Sequence, residues 1–127
     1  MFDVCSLIYA FKLKKLDLLI NNYIQWLTIY EVADGLWRGA YLIKTLTMKE
    51  TIDIAKILRE IISYMKILDP HKYEEEILET AYKLGITVYD ASYIVLAKNK
   101  NLILVTEDSK LREKAENIVE TKCLNEI

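Results

Sequence analysis

The stretch VYDASYIVLAKNKNLILVT, residues 88–106, contains the two kinds of element that decide the fold. Its first part predicts a buried helix over 90–99, because most of its side chains are apolar whichever way they face. Its second part, LILVT (102–106), is the clearest strand in the chain, since it is short, β-branched and apolar. Asp90 stands where the connecting run ITVY (86–89) gives way to the helix, and a carboxylate at that point needs an explanation.

Helices and strands alternate in this way along the whole chain. The apolar spacing predicts helices over 5–20, 31–45, 47–64, 71–84, 90–99 and 108–116. It predicts strands over 23–30, 65–69, 102–106 and 117–121, and a very short first strand that ends at Asp3. Thr47 and Glu50 have the spacing of a capping box, and Gly85 suits a helix end. We therefore expect one domain over residues 1–127, an α/β protein built as a three-layer α/β/α sandwich with a central parallel sheet.

Composition narrows the class of protein. The 127 residues are 53% hydrophobic and 28% charged, which indicates a globular chain. With 17 basic and 19 acidic residues the net charge is −2, so any contact with nucleic acid must use a local patch. Cys5 and Cys123 lie far apart and His71 is the one histidine, which excludes a structural zinc site. We expect reduced, buried thiols in preference to a single end-to-end disulfide. We also expect no membrane span and no signal peptide, and hence a cytoplasmic protein.

Four carboxylates fall where strands or connections hand over to helices. Asp3 ends the first strand, Glu31 follows the strand over 23–30, and Asp90 and Asp108 stand at the starts of later helices. Ligands of parallel α/β sheets bind outside the carboxyl ends of the strands. The topology therefore brings together four side chains that are far apart in sequence.

Such a set has two interpretations. Converging carboxylates repel one another unless a cation neutralises them, and all-oxygen ligands suit Mg²⁺ or Mn²⁺. A bound divalent ion of this kind supports hydrolysis of a phosphodiester without a histidine or cysteine nucleophile. Alternatively, each acid caps a helix and stabilises its positive end, which is the commoner role for any one of them. The residues alone leave both interpretations open.

Four segments also resemble the ordered motifs of the PIN-domain ribonucleases, especially the VapC toxins of VapBC toxin–antitoxin pairs. FDVCSLIYA (2–10) is similar to the family's opening Asp-x-[Ser/Asn], and LTIYEVADGLWR (27–38) to its strand–Glu–helix motif. YDASYIVLAK (89–98) resembles Asp-Ala-x-Tyr-x-x-x-Ala, and LVTEDSKL (104–111) resembles Thr-x-Asp-x-x-Leu. Each motif is weak by itself, but the ordered set spans the chain.

The resemblance implies a Mg²⁺- or Mn²⁺-dependent endoribonuclease that acts on RNA and is neutralised by a cognate antitoxin, and it implies a homodimer. Asp3, Asp90 and Asp108 would bind the metal, and Glu31 would hold a metal water or orient the attacking one. Thr106 would position Asp108.

The chain departs from the family pattern at Cys5, where Ser or Asn is usual, and Ser6 is the candidate to supply the missing hydroxyl. The first strand is also shorter than is usual in the family. An alternative function is therefore a non-catalytic PIN-like module that binds protein or RNA and that metal does not stabilise. A receiver or nucleotide-binding domain is disfavoured, because the chain has no glycine-rich phosphate loop. Gly35 and Gly39 indicate close packing within the domain or, alternatively, a groove for the antitoxin or a second subunit.

Overall fold

The computed structural model describes every residue from Met1 to Ile127. The helices are α1 (Val4–Lys12), α2 (Trp26–Trp37), α3 (Met48–Ser63), α4 (Glu74–Leu84), α5 (Val88–Asn99) and α6 (Ser109–Ala115). The strands are β1 (Tyr23–Gln25), β2 (Lys66–Leu68), β3 (Leu104–Val105) and β4 (Thr121–Lys122). Short 3₁₀ turns occupy Leu16–Leu18 and Leu124–Glu126, and a π-helical turn, Arg38–Leu42, extends α2.

All strand pairing is parallel, with β1 beside β2 and β3 beside β4. The first three residues connect the two pairs. The Phe2 amide donates to the Tyr23 carbonyl at 2.7 Å, and on the other side the Asp3 amide donates to the Val105 carbonyl at 3.1 Å. The Val105 amide in turn donates to the Met1 carbonyl at 2.7 Å. The parallel order is therefore β2–β1–(1–3)–β3–β4, and the very short first strand is real.

Hydrophobic clusters cover both faces of this sheet. Successive strand residues point to opposite faces, and accordingly Phe2 and Val105 belong to one cluster while their neighbours Met1 and Leu104 belong to another. The first cluster is completed from α1, α2 and α3 by residues that include Leu7, Ala10, Val32 and Leu58. The second is completed from α5 and α6 by residues that include Ile94, Leu96, Leu111 and Ala115. The predicted three-layer α/β/α architecture is confirmed.

Helix α5 is the most deeply buried helix. Every residue from Ala91 to Ala97 is buried, because α5 faces the sheet on one side while Ala91 and Val95 pack against Ile77 and Ala81 of α4 on another. A helix that is apolar all round is the pattern expected of such a position. The predicted buried helix is thus confirmed, although its start is not where the sequence pattern placed it.

The predicted strand over 23–30 is wrong beyond Gln25. Helix α2 begins at Trp26. The backbone amide of Gln25 donates to the Thr28 hydroxyl at 3.3 Å across the first turn of this helix. A short β-branched and aromatic run suits a buried helix as well as a strand, so periodicity could not separate the two. As a result Glu31 does not open a helix but lies in the second turn of α2.

The prediction that Asp90 opens its helix is also wrong. Helix α5 begins at Val88, so the run over 86–89 is only partly a connection. Thr87 is the N-cap, and its hydroxyl accepts a hydrogen bond from the Asp90 amide at 3.1 Å. Thr is a good N-cap residue, and here it takes the role that the pattern gave to the carboxylate. Asp90 lies instead in the first turn of the helix.

Other boundaries also differ, and the last strand, predicted over 117–121, is Thr121–Lys122. The helix predicted over 5–20 stops at Lys12, since Lys14 adopts a left-handed backbone (φ 57°) that a helix cannot continue through. The cap of α3 at Thr47 is confirmed, because the Glu50 amide donates to the Thr47 hydroxyl at 3.1 Å. The predicted capping box is incomplete, since the Glu50 carboxylate accepts from that hydroxyl at 3.0 Å and not from the Thr47 backbone amide. Gly85 ends α4 with φ 64°, as expected.

The two glycines of α2 and its π-turn differ in environment. A Cβ on Gly39 would lie 3.1 Å from Leu46 Cδ1, whereas a Cβ on Gly35 would meet nothing within 4 Å. Gly39 therefore permits close packing inside the domain. Gly35 lies on an open surface and has no such packing role.

Candidate active site

Asp3 is buried at the end of the first strand and is the N-cap of α1. Its Oδ1 accepts from the Ser6 amide at 2.8 Å and from the Ser6 hydroxyl at 2.7 Å. The same hydroxyl also lies 2.7 Å from the Val105 carbonyl. These bonds orient one carboxylate oxygen, while Oδ2 has no partner in the chain and is free to bind a ligand. Ser6, a predicted supporting residue, thus contacts Asp3 directly.

Asp108 is held in the same manner. It is the N-cap of α6, and its Oδ1 accepts from the Lys110 amide at 2.9 Å and the Leu111 amide at 3.1 Å. Its own amide donates to the hydroxyl of the fully buried Thr106 at 3.1 Å. Capping again uses one oxygen and leaves Oδ2 without a partner in the chain. Thr106 fixes the backbone from which the carboxylate projects.

Glu31 projects from the second turn of α2 and is half-buried. Its Oε2 accepts from the Tyr93 hydroxyl of α5 at 2.6 Å. Burial raises the pKa of Glu31, the bond from Tyr93 opposes that rise, and the negative charges of Asp3 and Asp90 add to it. The last effect indicates that the three carboxylates lie near one another.

Asp90, in the first turn of α5, is half-buried. Burial raises the pKa of Asp90, its hydrogen bond with Thr87 opposes the rise, and the charges of Asp108 and Asp3 add to it. No basic side chain contributes to the pKa shift of either Asp90 or Glu31. The repulsion among these acids is therefore uncompensated within the chain.

Cys5 lies within electrostatic range of all four predicted site acids. Its side chain is exposed on the first turn of α1, so the prediction that this thiol is buried is wrong. After burial, the causes that raise the pKa of the Cys5 thiol are the charges of the four predicted site residues, Asp3, Glu31, Asp108 and Asp90. The charges of all four carboxylates therefore act on one thiol, although the carboxylates come from different segments of the chain. The raised pKa also means that the thiol is protonated at neutral pH, so it is a poor metal ligand.

The arrangement fits a hard divalent cation only in a particular way. No three of the His, Cys, Asp and Glu side chains lie close enough to enclose a metal ion directly. Mg²⁺, however, keeps several waters and is usually held by one or two carboxylates. The available donors are carboxylate oxygens, two of them without partners, in a region of uncompensated negative charge. The set therefore fits a partly hydrated ion and does not fit a closed coordination cage.

A cleft of about 700 Å³ opens beside Glu31. Tyr30 and Tyr89, which immediately precede the acids Glu31 and Asp90 in sequence, both line it and are 72% and 60% exposed. Arg38 also lines the cleft. It is an exposed side chain whose Nε donates to Asp34 Oδ2 at 2.7 Å. Asp34 is therefore the partner of an arginine and is not drawn into the acidic group.

Tyr93 contacts Glu31 directly, although nothing in the sequence alone assigns it a role in the site. Tyr93 is 2% exposed, and its hydroxyl lies between Glu31 and the hydroxyl of Thr28, 2.7 Å away. Burial and the bond to Glu31 raise the pKa of Tyr93, so the phenol stays protonated. The tyrosine was visible in the motif YDASYIVLAK, but its contact with a residue 62 positions earlier was not.

Known proteins show the same sequence and fold features. Residues 7–117 match the family described as PIN domain. The chain is 33% identical over 98 residues to exonuclease VapC9 of Pyrobaculum aerophilum, covering 77% of this chain and 70% of that protein. It is 36% identical over 91 residues to ribonuclease VapC3 of the same organism, covering 69% and 66%. The crystal structure of PAE2754 from Pyrobaculum aerophilum is similar in fold, with a TM-score of 0.77 and 29% identity, covering 94% and 86%.

None of the helices has the length and apolar character that crossing a bilayer requires.

Proposed function

The chain belongs to the PIN-domain family and is of VapC type, and from that premise we propose that it is a metal-dependent endoribonuclease restrained by an antitoxin. The observation that supports this most strongly is that Asp3 and Asp108 each keep one carboxylate oxygen without a partner, while the charges of all four acids act on Cys5 and no basic side chain contributes to the raised pKa of Glu31 or Asp90. Helix capping explains the orientation of Asp3 and Asp108. Helix starts do not explain Glu31, which lies in the second turn of α2. Asp90 lies in the first turn of α5, which suits an acid, but burial and the charges of Asp108 and Asp3 raise its pKa.

We propose a role for each side chain of the site. Asp3, Asp90 and Asp108 would hold Mg²⁺ or Mn²⁺, as a partly hydrated ion. When bound, such an ion neutralises charge on the phosphate and lowers the pKa of a coordinated water. Glu31 would hold a water of the metal or orient the attacking one, so its position would affect both metal affinity and cleavage. Ser6 and Thr106 fix the positions of Asp3 and Asp108 respectively.

The cleft beside Glu31 is the proposed path of the RNA. Exposed tyrosines can stack on unpaired bases without regard to sequence, and the exposed Tyr30 and Tyr89 that line this cleft with Glu31 support that role. Arg38 retains N–H groups beyond the one that binds Asp34, and these are available for a phosphate. A local surface of this kind is compatible with the net charge of −2.

The decisive test is Asp3→Asn combined with Asp90→Asn in an RNA cleavage assay with Mn²⁺. We expect cleavage to fall at least about 100-fold, because the ion loses two of its charged partners. Asp53→Asn, an exposed acid of α3, is the matched control and should cleave normally. Undiminished cleavage by the purified double variant would contradict the mechanism.

The substrate should include a circular single-stranded RNA. The two relatives are named an exonuclease and a ribonuclease, and only an endonuclease opens a circle. Linearisation of the circle by the wild-type protein is the expected result. Degradation restricted to linear RNA would replace the proposed endonuclease with an exonuclease.

The alternative, a PIN-like binding module without catalysis, makes a different prediction about metal. A true site gains stability as RT ln(1 + [L]/Kd), which is about 2.7 kcal/mol when the free metal is 100 times Kd. We expect the temperature of unfolding to rise with added MnCl₂. A melting temperature that does not change with Mn²⁺ would favour the binding module.

The proposal extends to partners and location. Beside α2 and α3 lies an apolar cleft of about 440 Å³ whose lining includes Trp37 and Tyr41, stacked at 5.4 Å and about half to two-thirds exposed. An exposed apolar face of this type is suited to a protein partner. We assign it to the cognate antitoxin, in a cytoplasmic protein that functions as a homodimer and forms one domain over residues 1–127.

A further inference from the structure

A chain of buried hydroxyl groups leads from the end of β1 to Glu31. The backbone amide of Gln25 lies 3.3 Å from the Thr28 hydroxyl. That hydroxyl lies 2.7 Å from the Tyr93 hydroxyl, and the Tyr93 hydroxyl lies 2.6 Å from Glu31 Oε2. Gln25 and Thr28 are fully buried and Tyr93 is nearly so. Solvent therefore cannot substitute for any of these bonds.

The chemistry of its two ends fixes the direction of every bond in this chain. An amide N–H can only donate, and an ionised carboxylate can only accept. With the Tyr93 proton on the bond to Glu31, the Tyr93 oxygen must accept from Thr28. The Thr28 oxygen in turn accepts from the backbone amide of Gln25. Each hydroxyl donates once and accepts once, so a single arrangement satisfies the whole chain.

The chain also joins the helices that carry two mutually repelling acids. Glu31 lies on α2, whereas Asp90 and Tyr93 lie three residues apart on α5 and so share a face of that helix. The charge of Asp90 disfavours an ionised Glu31 nearby, yet Tyr93 binds Glu31 from the same helix. The hydroxyl chain thus opposes the repulsion that would otherwise turn Glu31 away.

We infer that Tyr93 and Thr28 are positioning residues that act through Glu31, holding its carboxylate toward Asp3 and Asp90 in the orientation that the metal site uses. This inference rests on the proposed function of that site. Neither residue contacts the cleft beside Glu31, so neither is expected to touch RNA. Outer partners of this type typically change metal affinity or activity by about 10- to 100-fold when removed.

The variants that test this each remove or keep one hydroxyl. Tyr93→Phe removes the bond to Glu31, and Thr28→Val removes the support for Tyr93 with almost no change of shape. Thr28→Ser keeps the hydroxyl and should rescue the site. Thr51→Val is the matched control, because Thr51 is a buried threonine of α3 whose hydroxyl binds only the Thr47 carbonyl. Circular dichroism establishes that each variant is folded.

The first readout is Mn²⁺ affinity in the absence of RNA, measured by calorimetry. We expect Tyr93→Phe and Thr28→Val to weaken binding about 10-fold, and Thr28→Ser and Thr51→Val to change it less than about twofold. In a Glu31→Ala background, Tyr93→Phe should have no further effect, because the residue through which it acts is gone. Wild-type affinity in Tyr93→Phe, or an equal loss in the Glu31→Ala background, overturns the inference.

The second readout is RNA cleavage, where kcat should fall about 10- to 100-fold in Tyr93→Phe and Thr28→Val while KM stays unchanged. The two readouts separate the inference from the function it rests on. The expected pattern of Mn²⁺ affinity in a protein that leaves RNA intact would support the positioning role and overturn the ribonuclease. If the wild type cleaves RNA and Tyr93→Phe matches it in both Mn²⁺ affinity and cleavage, the ribonuclease is supported and the positioning role is overturned.

Discussion

The four acids of the proposed site form two pairs that are held in different ways. Asp3 and Asp108 are helix N-caps, and backbone N–H groups orient one oxygen of each. Glu31 and Asp90 lie inside helices, where their contacts are with the side chains of Tyr93 and Thr87. The first pair stabilises the fold through helix capping, whether or not a ligand is bound. The second pair has a raised pKa on each member and depends on hydroxyl groups to stay in place.

This difference indicates how such a site can be built in a marginally stable domain. The caps satisfy N–H groups that every helix start leaves free, so those two acids contribute to folding. The other two oppose folding through desolvation and repulsion. Substitutions at the two pairs should therefore change stability in opposite directions, even where they abolish the same activity.

The largest effect on stability is expected at Asp3. Asp3→Ala removes the cap of α1 and the acceptor of the Ser6 amide, and should lower the free energy of unfolding by about 2 kcal/mol. Asp3→Asn keeps a capping oxygen and should cost less than half as much, although both variants lose activity. Urea denaturation measures the difference. Equal losses of stability in the two variants would show that Asp3 does not act as a cap.

A smaller effect is expected at Thr87, which supports the second pair. Thr87→Ala removes the cap of α5 and should cost about 1 kcal/mol, whereas Thr87→Ser should cost little. Thr47→Ala removes the equivalent cap of α3, away from the acids, and serves as the control for stability. Both alanine variants should lose similar stability, but only Thr87→Ala should also weaken Mn²⁺ binding. Equal Mn²⁺ affinity in the two variants would show that Thr87 does not help to position Asp90 for the metal.

The smallest effect should have the opposite sign. Because the pKa of Glu31 is raised in the folded protein, the folded state binds more protons than the unfolded state as pH rises above the ordinary value for Glu. Stability is therefore lost as pH increases through the raised pKa and remains reduced at pH 7. Glu31→Gln removes this loss, so the metal-free variant should unfold at a higher temperature than the wild type at neutral pH.

Thermal unfolding in EDTA at neutral pH and near pH 4 tests this, since the advantage of Glu31→Gln should shrink at the lower pH. Glu79→Gln, an exposed acid of α4, should leave stability within about 0.5 kcal/mol at both. A Glu31→Gln variant that is less stable than the wild type at neutral pH would place Glu31 with the stabilising pair.

The same division explains what the sequence could predict. Asp3 and Asp108 stand at strand-to-helix transitions, where a cap has a local signature, and both were placed correctly. Glu31 was assigned to a helix start because YIQWLTIY has the composition of a strand, and only tertiary packing converts it to helix after Gln25. The bond from Tyr93 to Glu31 joins residues 62 positions apart, and no periodicity reports a contact of that range.

The parallel sheet and the buried α5 were predictable for a different reason. Alternating helices and strands permit few topologies, and a helix that is apolar on all sides has to be covered on all sides. The start of α5 was less certain, because Thr87 and Asp90 are both residues that cap helices. Only the observed hydrogen bond from the Asp90 amide to Thr87 decides between them.

The Ser6 hydroxyl has one proton and three acceptors within reach: Asp3 Oδ1 at 2.7 Å, the Asp3 carbonyl at 3.1 Å and the Val105 carbonyl at 2.7 Å. The hydroxyl proton can therefore rotate from one acceptor to another. If a cation withdraws electron density from the Asp3 carboxylate, the proton can turn to the Val105 carbonyl without being left unpaired in the interior. Asp3 can thus exchange one partner for another at little energetic cost, and the innermost acid of the site need not move when its charge is neutralised.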